Sequence, residues 1–477
     1  MKKFFFIIIF ILISFLISIL ISNYNLTNYD KIVVNNSGSY HQMIKTDSLR
    51  YLGHGAEIKS QLKNNVDYFL TGRENYTKYL PPRIAAAYYI FFDKELFNNF
   101  DERVVNTGIH FPYLLIQCFF YFFSVALLFF SIKKIFDKRI VFFIILFLCI
   151  EPTIFQYHGT FWSESFFFTL QIVILSLVFR IRHNITILFL IGLFLGLLSL
   201  QKQMAIFYVI PVLVYFLFKE KPFKFNYLFM ILIGYIIVQS FVGYNNFKRS
   251  GEFYFLTADT KINLHFYMVQ KVVPKVLNIT EKKFTENEGK EAFKWIKINS
   301  INYDIKKLSN KLKKPGYMDY RVSIINEKDK TQFDEFIYKR TIFFIKKYPI
   351  EFVEFIIKKS IHTTLLNPFH IYSDHNFVSG EYYYTTKTHN QLVPYRIVYT
   401  MIIYLICLLG FFQIINRKHF QILSFLFLSI LYFYLLVSWH GNTRYFVPVL
   451  IYLSFFFGFG VDKVLLILDK KNIYNES

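Results

Sequence analysis

DSLRYLGHGAEIK (residues 47–59) and YFLTGRENYTKYLPPRIAAAYYIFF (68–92) lie within one polar stretch bounded on both sides by apolar runs. It is the only long, charged region before residue 244. Asp47, Arg50, Tyr51, Lys78 and the turn Pro81-Pro82-Arg83 gather in it. A charged segment hung between runs long enough to cross a bilayer implies an all-α polytopic membrane protein with this loop at its surface.

Composition agrees. Of 477 residues, 54% are hydrophobic and 21% aromatic, and the mean hydropathy is +0.35, more apolar surface than a soluble chain tolerates. The net charge of +22 is spread along the chain, which suits topology signals and basic loops and excludes a nucleic-acid patch. Cys118, Cys149 and Cys407 all sit in apolar runs, so neither a disulfide framework nor a CxxC metal site is expected.

Residues 4–22 follow Lys2 and Lys3 as an unbroken apolar run with no clear small-x-small cleavage motif, and read as an uncleaved anchor. Further spans are expected near 111–130, 140–157, 161–180, 185–200, 204–218, 225–243, 396–415, 421–438 and 445–461, about ten in all. With the N-terminus inside, the short inner segments hold 13 Lys and Arg residues, whereas the short outer turns hold only Lys202 and Arg444. That bias places both termini inside and both long polar segments, 23–110 and 244–395, outside. The chain divides into a transmembrane module (1–243) that includes the first loop, an outer segment (244–395) and a C-terminal membrane part (396–477). Within the outer segment, 350–361 shows apolar residues at helical spacing with lysines opposite. This fits a helix on the membrane surface or an ordinary globular amphipathic helix.

Ionisable groups at membrane depth usually face a cavity or a partner. Glu151 and Glu164 flank one expected outer turn, and Lys202 and Arg444 sit in two others. Helix-end residues that merely snorkel to the interface give one explanation. A cationic rim suited to a lipid phosphate gives the other. Asp47, Arg50 and Tyr51 share a helical face, and Lys78 and Arg83 flank the proline pair that would start a helix. His41, His54, His158 and His440 are not at zinc-binding spacing, and there is no Walker loop, dinucleotide fingerprint or GxSxG elbow. No inner segment is large enough for a nucleotide-sugar domain, so a sugar donor would have to come from the membrane.

Taken in order, these motifs resemble the GT-C superfamily of membrane glycosyltransferases, in its bacterial branch related to dolichyl-phosphate-mannose–protein mannosyltransferases and the aminoarabinose transferase of lipid A. Asp47-x-x-Arg50-Tyr51 with Ala56 resembles the family's first outer loop, whose Asp is taken as the catalytic carboxylate. Tyr76-x-Lys78 and Pro81-Pro82 are similar to its Tyr-x-x-Lys-Pro-Pro element, at slightly different spacing. EPTIFQYHGTFWSESFFF (151–168) resembles its proline-led turn, with Glu164 as the acidic residue opening the next span. GLFLGLLSLQKQ (192–203) places Lys202 where an Arg is common. YNNFKRSGEF (244–253) matches the entry to the large loop at Asn246 and Gly251, with Asn245 in place of an Arg. TRYFVPVL (443–450) resembles the late Arg-Tyr-x-x-Pro motif through Arg444, Tyr445 and Pro448.

The resemblance implies a GT-C-like bundle with two amphipathic helices in the first outer loop. It implies sugar transfer from a polyprenyl-phosphate donor to a lipid, glycan or protein acceptor at the outer face of a bacterial inner membrane. Asp47 would be the base, with Arg50 steadying it. Lys78, Lys202 and Arg444 would bind phosphate, Glu164 would orient an acceptor or an Arg, and Tyr51, Arg83, Asn246 and Tyr445 would complete the substrate site. No cofactor is required, and a divalent metal is left open. Two other classes fit many spans and a large loop: a polysaccharide polymerase or ligase, and a non-catalytic lipid flippase. The first should keep its basic and His residues in a late loop, the second should show symmetric halves.

Overall fold

The structure is a computed structural model. It describes residues 2–35, 46–62, 79–93, 111–219 apart from 162 and 181, 225–251, 253, 255, 259–304, 316–367, 386–416, 419–438 and 443–475. Among these there is no strand, only an isolated bridge between Tyr303 and Ile324. The long α1 (Lys2–Asn35) leads into the two helices of the first polar segment, α2 (Thr46–Leu62) and α3 (Leu80–Phe91). Then follow α4 (Phe111–Ile132), α5 (Lys138–Ile150), the single turn α6 (Pro152–Phe155), α7 (Glu164–Val178), α8 (Ile185–Gln201), α9 (Val209–Lys219) and α10 (Phe225–Ser250). The second polar segment supplies α11 (Asp259–Leu264), α12 (Gln270–Val276), α13 (Glu281–Ile298), α14 (Tyr317–Ser323), α15 (Glu327–Lys347) and α16 (Pro349–Thr364). The chain returns to the membrane with α17 (Thr386–Asn416), α18 (Phe420–Val437) and α19 (Thr443–Asn475).

Helices α1, α4, α10, α17, α18 and α19 each contain a stretch long and apolar enough to cross a bilayer. The protein is therefore an integral, multi-pass membrane protein. The other four expected spans fall on α5, α7, α8 and α9, which have 13, 15, 17 and 11 residues. At 1.5 Å per residue these reach only about 17 to 26 Å, less than the roughly 30 Å hydrocarbon core. Protein surrounds much of them instead. Ile140 and Ile144 of α5, Phe167 and Leu175 of α7 and Leu188 and Ile191 of α8 are buried in one core with Tyr121, Phe129, Leu450 and Phe455.

The expected span over 140–157 is broken. Its helix ends at Ile150 because Pro152 disfavours a helical residue before it, and Glu151 is extended (φ −60°, ψ 116°). The Glu151 carboxylate then caps α6 by accepting from the Ile154 amide at 2.7 Å. Two glycines let α8 and α10 cross with backbones in contact: a Cβ on Gly192 would lie 2.1 Å from the Ile231 carbonyl oxygen, and one on Gly234 would lie 2.4 Å from that of Phe189.

Outside the spans, α11, α13, α14 and α15 enclose an apolar centre of Ile262, Ala292, Ile296, Tyr317, Phe333 and Ile337. A bidentate pair, Arg321 with Asp334 at 2.6 and 2.8 Å, is buried beside it. The end of this segment is fastened to the membrane bundle. Leu366 is buried in the membrane core, its amide donates to Thr400 Oγ1 at 3.0 Å, and Arg396 donates to the carbonyls of Leu365 and Leu366 at 3.0 and 3.2 Å.

Candidate active site at one end of the bundle

α7 begins, α8 ends and α19 begins at the same end of the bundle, and each brings a charged side chain there. Glu164 stands in the first turn of α7, where a carboxylate is favoured by the amides at the helix start. It is fully buried. Lys202, the residue closing α8, donates to Glu164 Oε1 at 2.7 Å. Arg444, in the first turn of α19, donates through Nε to the same oxygen and through Nη2 to Oε2 at 3.3 Å. Lys202 also lies 5.3 Å from the centre of the Phe167 ring. Both cations are buried too, and hydrogen bonding to a carboxylate is what makes their burial tolerable.

Neighbouring amides and carbonyls hold these helix ends in place. Gln201 donates to the Ser163 carbonyl at 2.9 Å and so ties the end of α8 to the start of α7. Gln171 of α7 donates to the Pro448 carbonyl at 3.3 Å and to the Tyr452 hydroxyl at 3.2 Å, both on α19. The turn between α6 and α7 is folded inward: Gln117 of α4 donates to the carbonyls of His158 and Thr160 at 3.1 and 3.0 Å. His158 Nδ1 meets Ser165 Oγ at 3.1 Å. Glu151, the second expected carboxylate, is buried, accepts from the Tyr399 hydroxyl and caps α6. Nearby, Gln156 donates to the Asn367 carbonyl at 2.9 Å, linking this turn to the end of the second polar segment.

The first polar segment packs over the same end. Leu52 of α2 and Ala85, Tyr88 and Tyr89 of α3 share an apolar cluster with Tyr113 and Leu114 of α4 and with Phe161. Gly55 permits this, since a Cβ there would meet Ala85 Cβ at 2.7 Å and the Ala86 amide nitrogen at 2.9 Å. The start of α3 lies against α8 and α10, with Tyr79 and Leu80 packed on Leu200, Val238 and Val242.

The residues singled out from sequence fall into three groups. Glu164, Lys202 and Arg444 are brought into direct contact. Tyr445 follows Arg444 on α19, 5.9 Å from ring centre to guanidinium. Arg83 is buried, stacks 3.5 Å over the Tyr79 ring and donates to the Tyr79 carbonyl at 2.8 Å. Asn246 is buried on α10, and its neighbour Asn245 donates to the Tyr79 hydroxyl at 2.8 Å. Tyr51 is buried on α2. Asp47 and Arg50 lie on α2 in backbone only, and Lys78 lies outside the described residues. Gln117, Gln171, Gln201 and Tyr399 were not singled out. A buried amide or phenol inside an apolar span is itself a signal that could have found them.

A family model described as dolichyl-phosphate-mannose-protein mannosyltransferase matches residues 104–244. No curated protein matches the chain. Among solved structures, the archaeal oligosaccharyltransferase AglB from Archaeoglobus fulgidus, in complex with an inhibitory peptide and a dolichol-phosphate, is 12% identical with a TM-score of 0.43. The alignment covers 98% of this chain and 51% of that one. The present chain thus spans about half the length of that protein. The family match includes Glu164 and Lys202 and stops before Arg444, and in it this chain resembles the dolichyl-phosphate-mannose-protein mannosyltransferases, which are GT-C type membrane glycosyltransferases.

Proposed function

We propose that this protein is a glycosyltransferase that moves a sugar from a polyprenyl-phosphate-linked donor to a hydroxyl or amine of a lipid, glycan or protein acceptor. The observation that carries the reading is the meeting of Glu164, Lys202 and Arg444 at one end of the bundle. Two cations fixed at one point by a shared carboxylate are suited to a phosphate, whose developing charge on departure needs donors already in place. Glu164 is then a positioning residue, and Lys202 and Arg444 hold the donor phosphate.

Asp47, on the helix that packs over this end, takes the acceptor proton. The acceptor oxygen or nitrogen forms its bond to the anomeric carbon while the bond from that carbon to the phosphate oxygen breaks. The electron pair leaves with the polyprenyl phosphate, and the sugar inverts. Arg50, Tyr51, Lys78, Arg83, Asn246 and Tyr445 belong to the surrounding donor and acceptor site. No cofactor is needed in this scheme. The site faces the outer side of a bacterial inner membrane, with both termini inside, on the strength of the Lys and Arg bias in the short loops.

The test is transfer from radiolabelled polyprenyl-phosphate sugars in membranes containing the protein. Asp47→Asn removes the base and keeps the shape, so transfer falls about 10²- to 10⁴-fold while donor still binds. Asp67→Asn, in the same polar segment, stays near wild type. Equal transfer by the two variants overturns the assignment of Asp47, and no transfer from any such donor by wild type overturns the function.

A further inference from the structure

At the opposite end of α7 the bundle has a second recess, a cavity of about 1050 Å³. Its origin is a difference in helix length. Tyr113 of α4 and Phe166 of α7 are level, with ring centres 6.0 Å apart. From there α4 continues nineteen residues to Ile132, whereas α7 continues only twelve to Val178. The seven extra residues carry α4 about 10 Å beyond the end of α7 and leave a notch beneath it.

Two helical faces line the notch. Leu127, Phe130, Ser131 and Lys134 recur at i, i+3, i+4 and i+7 along α4 and one turn past it, and Val173, Ser176, Leu177 and Arg180 do the same on α7. Both faces are apolar toward the middle of the membrane and end in a cation. Arg182 adds a third at the mouth. Lys134, Arg180 and Arg182 are exposed, and no ion pair engages them among the described residues. The start of α8, capped by Asn184, opens onto the same mouth and turns the positive end of its helix dipole toward it.

The turn that closes the notch is built to keep those charges there. His183 donates through Nε2 to the Leu177 carbonyl at 3.0 Å, which leaves Nδ1 to accept from Lys219 at 3.4 Å. Lys219 also donates to the Arg180 carbonyl at 3.2 Å. Burial, then Lys219 and Arg180, pushes the His183 pKa down to about 4, so the ring is neutral and serves as a bracket.

We infer that this notch binds an anionic phospholipid: the phosphodiester meets Lys134, Arg180 and Arg182, and an acyl chain lies along Leu127, Phe130, Val173 and Leu177. A free phosphate would use the cations but not the apolar walls, and those walls favour the lipid. By helical rise Arg180 is about 24 Å from Glu164, so this is a separate site that does not rest on the proposed transferase reaction.

The test is native mass spectrometry of the purified full chain mixed with phosphatidylglycerol or phosphatidylcholine. Wild type retains phosphatidylglycerol in preference to phosphatidylcholine. Each cation removed weakens retention by about fivefold, so Lys134→Gln, Arg180→Gln and Arg182→Gln together lower it on the order of a hundredfold. Removing the same charge from α13, with Lys282→Gln, Lys283→Gln and Lys290→Gln, leaves retention unchanged. Ser131→Glu, which keeps all three cations but sets an anion in the groove, also lowers it. Equal retention by wild type and the triple variant overturns the site. Displacement of the lipid by excess inorganic phosphate overturns the lipid assignment in favour of a soluble anion.

Discussion

Arg444 and Glu164 are 280 positions apart in sequence and share hydrogen bonds in the interior of the protein. The contact joins the last membrane helix to α7, and through Lys202 to α8. A carboxylate removed from such a contact leaves two buried cations exposed to a poor solvent, which costs about 3–5 kcal/mol. Glu164→Gln therefore lowers the midpoint of thermal unfolding in detergent, and adding Lys202→Met recovers part of the loss. An unchanged midpoint for the single variant would show that Glu164 is not what keeps the two cations buried.

Two glycines of α2 distinguish its packing from its propensity. A Cβ on Gly53 meets nothing within 4 Å, whereas one on Gly55 runs into α3. Gly53→Ala raises stability by up to about 1 kcal/mol through helix propensity alone. Gly55→Ala forces α2 and α3 apart and costs about 1–3 kcal/mol. Thermal unfolding of the two variants side by side checks this, and the same sign for both would contradict the α2–α3 contact.

The second polar segment is destabilised by acid through His265. It is fully buried, meets Thr341 Oγ1 at 2.9 Å and lies 3.8 Å from Glu288, and its pKa is pushed down to about 3 by burial and then by Arg340. A folded pKa below the unfolded value of about 6.5 means that stability is complete above pH 6.5 and is lost as pH falls toward 3. At pH 5 the loss from this group is on the order of 2 kcal/mol. Limited proteolysis between pH 7.5 and 5 should show faster cleavage within 259–367 at the lower pH, and His265→Gln should flatten the trend.

Membrane orientation is checked by labelling single cysteines in a cysteine-free background. Lys282→Cys, at an exposed position of α13, reacts with an impermeant thiol reagent added outside intact cells, and Asp137→Cys, between α4 and α5, does not. The reverse pattern would invert the orientation and place the Glu164 end on the inner face.

Six of the expected spans, from 4–22 to 445–461, were legible because their own apolar length suffices. The break at Glu151 was not, because the run over 140–157 stays apolar on both sides of Pro152, and hydropathy does not register the loss of helix continuity that the proline imposes. Glu164, Lys202 and Arg444 stood out singly as charges in apolar surroundings. That they converge depends on the relative heights of three helices, which periodicity does not encode. The Gly192–Gly234 crossing was hidden for the same reason. Lys134, Arg180 and Arg182 read as topology signals, and only the unequal lengths of α4 and α7 turn them into the mouth of a groove.

The shortness of α7 has one more consequence, for the lipids around the protein. Eleven of its fifteen residues are buried, so protein rather than hydrocarbon surrounds most of it. Hydrophobic matching to the bilayer falls on the longer α4, α10, α17, α18 and α19, which can tilt or draw in the membrane as thickness varies. Such adjustment acts on the perimeter, while the ties from Gln171 to Pro448 and from Gln201 to Ser163 fix the depth of the Glu164 carboxylate relative to its neighbours. A membrane with longer or shorter acyl chains deforms the rim of this protein before it disturbs its charged centre.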